Sequence, residues 1–357
     1  MSETHHRQPY DPDGLNVGAS SLSHGAVITP SDHFFKRSHA FPPAIDAETW
    51  RLEVGGLVSR PARYSLKELL TRFDRREVEA TLICAGLRRD EFLTLGPLAG
   101  ELPWSADAAS TGRWRGVSLA EVLRTAGVTR EAHHVELVGL DRVERAGQQF
   151  GFGGSIDLEK AESGDVLLAT HLNGEPLPRD HGFPVRAVVP GWIGARSVKW
   201  LGRITAQTQP STNYFQEKAY RIQREPNPDD PRDVTAGEAM SEVPLNAVIL
   251  EPRQDALVPA GPVRVRGWAM GSGGRSIRAV EVCHSGATHW IRADILGAPT
   301  RWTWTLWEAV VPLSPGNQIL VARAVDETGA MPEEIRDTWN VKGYGNNAWH
   351  RVRVSVT

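Results

Sequence analysis

The chain is poor in cysteine, with two thiols, Cys84 and Cys283, in 357 residues. They stand far apart in different contexts, so no CxxC pair, zinc knuckle, C-x-x-C-H haem attachment or disulfide framework can be built from them. Long hydrophobic runs are missing too. No apolar stretch approaches the roughly 18 residues of a membrane-spanning helix, so no membrane partner is expected. Charge of one sign is not in excess: 40 Lys and Arg face 43 Asp and Glu, a net of −3, which gives no reason to expect nucleic acid. The opening "MSETHHRQPYDPDG" has neither an apolar signal core nor a twin arginine, and a cytoplasmic location is expected. G-x-S-x-G and HExxH are absent, as are the Walker loop and the G-x-G-x-x-G fingerprint. The common serine hydrolases, zinc proteases and nucleotide-binding folds are thereby disfavoured. "GGSID" at 153–157 is no nucleophile elbow, and His133–His134 lacks metal-ligand spacing.

What is present is enough chain for two domains and an arm. Residues 1–43 carry Pro, Gly, Ser and His without periodicity and read as an extended arm that docks on a neighbour. Residues 44–225 mix short strands with short helices. "WRLEVGGLV", "VEATLIC", "HHVELVGLD" and "PVRAVVPGWIG" predict strands. "SLKELLTRF" and "SLAEVLRTAGV" predict serine-capped helices, the second stopping at Gly127. Strands and helices do not alternate strictly, which predicts α+β rather than a doubly wound sheet. Residues 224–242, rich in Pro and Asp, read as a linker. Residues 243–357 contain about seven strand patterns and no helix signal, which predicts an all-β immunoglobulin-like sandwich.

Three clusters carry chemistry. Cys84 ends a strand-like run and is followed by Arg88 and Arg89. Nearby cations favour thiolate, a nucleophile and a soft metal ligand; a small buried core residue is the other reading. "FFKRSH" puts Lys36, Arg37 and His39 behind two aromatics, either an anion grip or an anchored surface loop. "LPRDHGFPVRAVVPGWIGARSVKWLG" holds Arg179, His181, Arg186, Arg196 and Lys199 among four glycines. Backbone N–H groups with Arg and Lys are what a phosphate-bearing ligand needs.

In this order the clusters resemble the sulfite oxidase family of molybdopterin enzymes. "FFKRSHAFP" is similar to its F-[FV]-x-R-N-H-x-P-x-P and "TLICAGLRR" to its T-L-x-C-A-G-N-R-R. "STGRWRGVSLAEVL" is similar to S-T-A-x-W-x-G-V-x-L-x-D-V-L. "NGEPLPRDHGFPVRAVVPGWIGARSVKWL" follows the family's long central motif almost throughout, and "WNVKGYGNNAWHRVRV" resembles the end of its dimerisation domain. The likeness runs from about residue 30 to 357.

The resemblance implies a molybdopterin-binding α+β domain, a C-terminal dimerisation domain and a homodimer. It implies Cys84 as the molybdenum ligand. Phe35, Lys36, Arg37, Ser38, His39, Asp141, His181, Arg186, Ser197, Val198 and Lys199 match the stretches that hold the pyranopterin and its phosphate. Arg37, Arg89 and Lys342 match cations of the oxyanion pocket, and Trp104 an aromatic beside it. The implied reaction is molybdenum-dependent oxidation of sulfite to sulfate by oxygen-atom transfer. No haem equipment is visible, so electrons would go to a separate acceptor such as a cytochrome c or oxygen.

Three departures bear on the substrate. Phe152 in "FGGSI" stands where the family has a tyrosine, so one hydroxyl donor beside the reacting centre is missing. Lys342 replaces the arginine of vertebrate and plant members, and a lysine cannot bind bidentately. Leu87 replaces the asparagine of C-A-G-N-R-R. A related nitrate reductase-like or sulfoxide reductase-like enzyme is therefore the alternative. A non-enzymatic scaffold built on the sandwich finds no support in the first 220 residues.

Overall fold

A computed structural model describes residues 9–20, 26–98, 100–145, 147–287 and 289–357. Both helices form where the sequence predicts them, but only the first has its serine cap: Ser118 makes no side-chain cap bond. In Leu66–Arg72 the Ser65 hydroxyl accepts from the Glu68 N–H at 3.2 Å, and the Glu68 carboxylate accepts from the Ser65 N–H at 2.8 Å. This reciprocal box satisfies two orphan donors. Leu119–Ala126 buries Leu119, Val122, Leu123 and Ala126, one face at helical spacing. Gly127 closes it at φ +70° by donating to Leu123 and Arg124.

The first sheet orders Ala62–Ser65, Arg51–Gly56, Leu201–Gln207, His134–Gly139 and Gly153–Asp157; only the second and third of these run parallel. The second orders Glu175–Pro176, Leu167–Leu172, Ala109–Ser118 and Arg75–Ile83, with Arg186–Val188 beside Leu167–Leu172. One apolar core joins both sheets to the helix Leu119–Ala126, through residues such as Leu52, Val54, Val122, Leu137, Leu168 and Ile204. The pattern is α+β. "PVRAVVPGWIG" yields a strand only over Arg186–Val188. Its prolines and glycines break the ladder, and the rest becomes a loop through the short 3-10 turn Gly194–Arg196.

The C-terminal part is a sandwich. One sheet orders Asn246–Glu251, Gly261–Met270, Thr305–Leu313 and Asp294–Leu296. The other orders Ala256–Val258, His350–Val356, Gly316–Asp326, Ala279–His284 and Ile291–Arg292, with Gly329–Ala330 at Gly316–Asp326. Alternate residues of the inner faces, among them Val265, Val280, Trp307, Ala322 and Val354, make its core. The sequence predicted fewer strands because the additional ones are two or three residues long, too short to show alternation. "THWIRADIL" divides between the sheets: Ile291–Arg292 joins one and Asp294–Leu296 the other.

Residues 224–242 are not an open tether. Arg221–Ile222 pairs with Glu238–Ala239 and closes the excursion, and Met240 then enters the core. The two parts are joined directly. The Trp304 N–H donates to the Thr81 hydroxyl at 2.8 Å and the Trp304 indole to the Val27 carbonyl at 3.0 Å. The described part of the arm is docked. Val17 exchanges backbone bonds with Lys36, and Phe34 packs edge-on against Trp114 at 5.5 Å. No helix among the described residues is long and apolar enough to cross a membrane.

Candidate functional site: a cationic cleft ending on a thiol

The strand Arg75–Ile83 delivers Cys84 at its end, buried. The chain then turns tightly, with Leu87 N–H on the Cys84 carbonyl at 3.0 Å and Gly86 N–H on the Cys84 sulfur at 3.4 Å. The sulfur faces a cleft of about 70 Å³. Beside the Cys84 turn and Tyr220, three stretches of the chain line it. The arm gives Phe35, Lys36, Arg37, Ser38 and His39; two loops of the first sheet give Asp141 and Phe152; the central motif gives His181, Arg186, Ser197 and Lys199.

Burial makes this cleft electrostatically unusual. Arg186 is buried and donates to three backbone carbonyls, those of His181 at 3.1 Å, Ala187 at 3.3 Å and Ser197 at 2.8 Å. It forms no ion pair among the described residues, and burial pushes its guanidinium down to about 9. Lys199 donates to the Ser38 hydroxyl at 2.6 Å and the Asp180 carbonyl at 2.9 Å. Burial first, then the Arg186 charge, push the Lys199 ammonium down to about 7. A buried cation without a carboxylate is costly in an empty protein, and an anion seated between the two removes the cost. Gly182 permits the geometry: at φ +105° it leaves no room for a side chain, since a Cβ there would lie 3.0 Å from the Arg186 Cβ and 3.1 Å from that of Lys199.

The rest of the cleft fixes orientation. The Asp141 carboxylate accepts from the Phe152 N–H at 2.9 Å, and burial raises its pKa. His39 stacks on Phe152 at 5.3 Å between ring centres and its Nε2 lies 2.9 Å from the Tyr220 hydroxyl. Burial, then the Arg37 charge, hold its pKa well below 6.5, so the ring is neutral. Arg37 is aimed by Asn16, whose side-chain oxygen accepts at 2.9 Å.

Arg37, His39 and Tyr220 also line a second, wider chamber of about 930 Å³, with Lys342, Tyr344 and Glu101 on its wall. Arg89 lies behind that wall: it donates to the carbonyls of Gly343 and Leu102, and its guanidinium sits 4.9 Å from the centre of the Tyr344 ring. Besides Arg89, two of the expected residues line neither space. Val198 is flanked by two cleft residues, but its side chain packs into the core between the sheets. Trp104 is fully buried against Tyr10, ring centres 4.2 Å apart, and lines neither space.

The adjacent arginines part company. Arg88 has φ +59° and turns into the contact with the sandwich. It holds Glu91 at 2.6 and 2.8 Å and Asn246 at 2.9 Å, while Asn346 donates to its carbonyl. Arg88 is thus a joint between the two parts, and Arg89 alone serves the chamber. Tyr220, Tyr344 and Glu101 were not singled out by the sequence reading. Tyr344 sits in "YGNNAW", which reads as a structural turn, and Tyr220 and Glu101 stand in stretches without a catalytic pattern.

Comparison with known proteins places this geometry. The family model described as "Oxidoreductase molybdopterin binding domain" matches residues 39–215, and that of the "Mo-co oxidoreductase dimerisation domain" matches residues 237–357. The chain is 40% identical over 333 residues to the sulfite oxidase of Gallus gallus, covering 91% of this chain and 72% of that one. It spans 62% of the human mitochondrial sulfite oxidase, at 39% identity over 92% of this chain. An inducible nitrate reductase of Glycine max is 37% identical over 94% of this chain and 40% of its own length. Among solved structures, the sulfane dehydrogenase of Paracoccus pantotrophus superposes with a TM-score of 0.78 at 27% identity, covering 99% of this chain and 87% of that one.

Proposed function

The chain belongs to the sulfite oxidase family of molybdopterin oxidoreductases, and from that premise we propose that it oxidises sulfite to sulfate with a molybdenum–pterin cofactor. The observation that carries the reading is the buried Arg186, which among the described residues meets three carbonyl oxygens and the face of Trp114 and no carboxylate, beside a cleft that Cys84 also lines. The residues present fit the group. Arg186, Lys199 and the His181 and Ser197 walls suit a pterin phosphate, and Cys84 suits a soft transition metal. No cluster of three or more His, Cys, Asp or Glu side chains among the described residues could hold a metal ion. Cys84 is the protein group that would hold the metal in this reading.

When bound, the cofactor supplies two-electron oxygen-atom transfer to sulfur. The protein's own groups do the rest. Arg37 and Lys342, with Arg89 behind them, draw in and orient a small oxyanion by charge-assisted bonds. His39, neutral, holds the Tyr220 hydroxyl. Phe152 packs on Phe215, ring centres 4.4 Å apart, and keeps water off that side. The hydroxyl missing from Phe152 has a neighbour: Tyr220 meets its ring edge-on at 6.4 Å and brings a phenol to the same cleft.

A separate electron acceptor, without haem in this chain, and a homodimer through residues 237–357 belong to the same proposal; the matched dimerisation domain supports the second. Phe152 and Lys342 favour a second reading, an enzyme of nitrate or S-oxides on the same cofactor. Steady-state assays of molybdenum-loaded protein with sulfite, nitrate and dimethyl sulfoxide separate the two. Turnover of sulfite is expected. Its absence, with nitrate or sulfoxide reduced, replaces the first reading by the second.

A further inference from the structure

We propose that Glu101 is a resident carboxylate of the oxyanion chamber, which takes the places on Arg89 and Lys342 that an incoming oxyanion needs and so sets how much negative charge the chamber accepts. The inference rests on the reading that this chamber receives the substrate anion.

Glu101 bridges the two cations, one oxygen 3.4 Å from an Arg89 Nη1 and the other 3.3 Å from the Lys342 Nζ. Its side chain is 15% exposed, Lys342 16% and Arg89 4%. Glu101 and Lys342 face the chamber and Arg89 does not. An anion that takes the place of the carboxylate would meet both cations.

The contacts are long. Charge-assisted N–H···O bonds close to about 2.7–2.9 Å, and the Arg88–Glu91 pair nearby does so at 2.6 and 2.8 Å. Arg88–Glu91 is a closed joint, whereas Glu101 sits within Coulomb range of two cations without closing on either. Arg89 is fixed by its own bonds to Gly343 and Leu102, so it does not need Glu101 to stay in place. A carboxylate held loosely over a pre-positioned cation pair is suited to exchange with an oxyanion of similar geometry.

Charge gives the consequence. With Arg89 behind it, a lining of six Arg or Lys and five Asp or Glu sums to +2, and removing the Glu101 carboxylate leaves +3. Glu101 thus weakens the hold on sulfite and on its product sulfate together, and speeds product departure at the expense of affinity.

The test uses cofactor-loaded protein and inorganic sulfate as the probe, titrated by calorimetry, for wild type, Glu101→Gln and Glu101→Ala. Both variants should bind sulfate about 10-fold tighter, with a steeper loss of affinity as salt rises. In sulfite turnover KM should fall and kcat should fall with it. A merely structural role predicts weaker binding or an unchanged Kd, and either result in both variants overturns the proposal. Tighter sulfate binding in a protein that does not turn over sulfite leaves the inference standing and removes the functional reading. Sulfite turnover with unchanged sulfate affinity does the reverse.

Discussion

The cleft and the chamber are both cationic, and they treat their cations differently. In the cleft, Arg186 is surrounded by carbonyl dipoles and Lys199 by a hydroxyl and a carbonyl, with no carboxylate closed on either. In the chamber, two cations share Glu101. A bare buried cation carries a desolvation cost that an anion which arrives once and stays, as a cofactor does, would offset; Arg196, held by the carbonyls of Phe215 and Met240, bears the same cost away from the cleft. A cation that keeps a carboxylate at hand suits an anion that comes and goes with each turnover. The contrast assigns the permanent ligand to the cleft and the exchanged one to the chamber.

Changes that separate the two regions sharpen this division. The largest effect is expected from Cys84→Ser, which removes the soft ligand and leaves the phosphate grip intact. Sulfite turnover should vanish while pterin, read by fluorescence after release, stays bound. Full activity would refute the ligand role. Arg186→Gln acts from the other side. It should cost cofactor retention by roughly 10–100-fold, the worth of hydrogen bonds to a charged group, with pterin and molybdenum lost together. Retention at the wild-type level would mean that the cleft does not hold the phosphate.

A smaller effect comes from pH. The folded Lys199 ammonium titrates near 7 rather than at the usual 10.5, so the folded cofactor-free protein loses that proton at lower pH than the unfolded chain. The cost of its charge is fully present below about pH 7 and is relieved as pH rises from there toward about 10. Cofactor-free protein should therefore gain up to about 2 kcal/mol between pH 7 and 9 relative to Lys199→Met, in unfolding series of both. Loaded protein should show less of this gain, because the phosphate holds the proton on. An equal gain in loaded protein would place the anion elsewhere. The smallest change is Phe152→Tyr, which puts a hydroxyl back at the border of the two regions. It should raise sulfite turnover by less than ~10-fold, below the worth of a fully positioned donor. A lower rate would mean that Tyr220 already fills that place.

The two helices were legible because caps and apolar spacing are local signals, and both appear where Ser65 and Gly127 put them. Most of the cleft was legible because its residues cluster in three short motifs. What escaped depends on the path of the chain. A left-handed turn at Arg88 sends one arginine of the pair into the joint with the sandwich and leaves the other at the chamber. Tyr220 and Tyr344 come from segments over a hundred residues apart and stack at 5.3 Å between ring centres only after folding. Val198 was drawn in by adjacency, and the irregular chain after the turn Gly194–Arg196 puts its side chain in the core between the sheets. Trp104 is buried under Tyr10 of the arm, and a sequence motif carries no record of what packs over it.

The most direct test of the account is one visible spectrum, taken on protein purified from a host that makes the cofactor, before and after sulfite, alongside its molybdenum content. The account predicts about one molybdenum per chain and a charge-transfer absorption that bleaches on adding sulfite, both lost in Arg186→Gln. Molybdenum-free protein from such a host, or a spectrum that sulfite leaves unchanged, would contradict it.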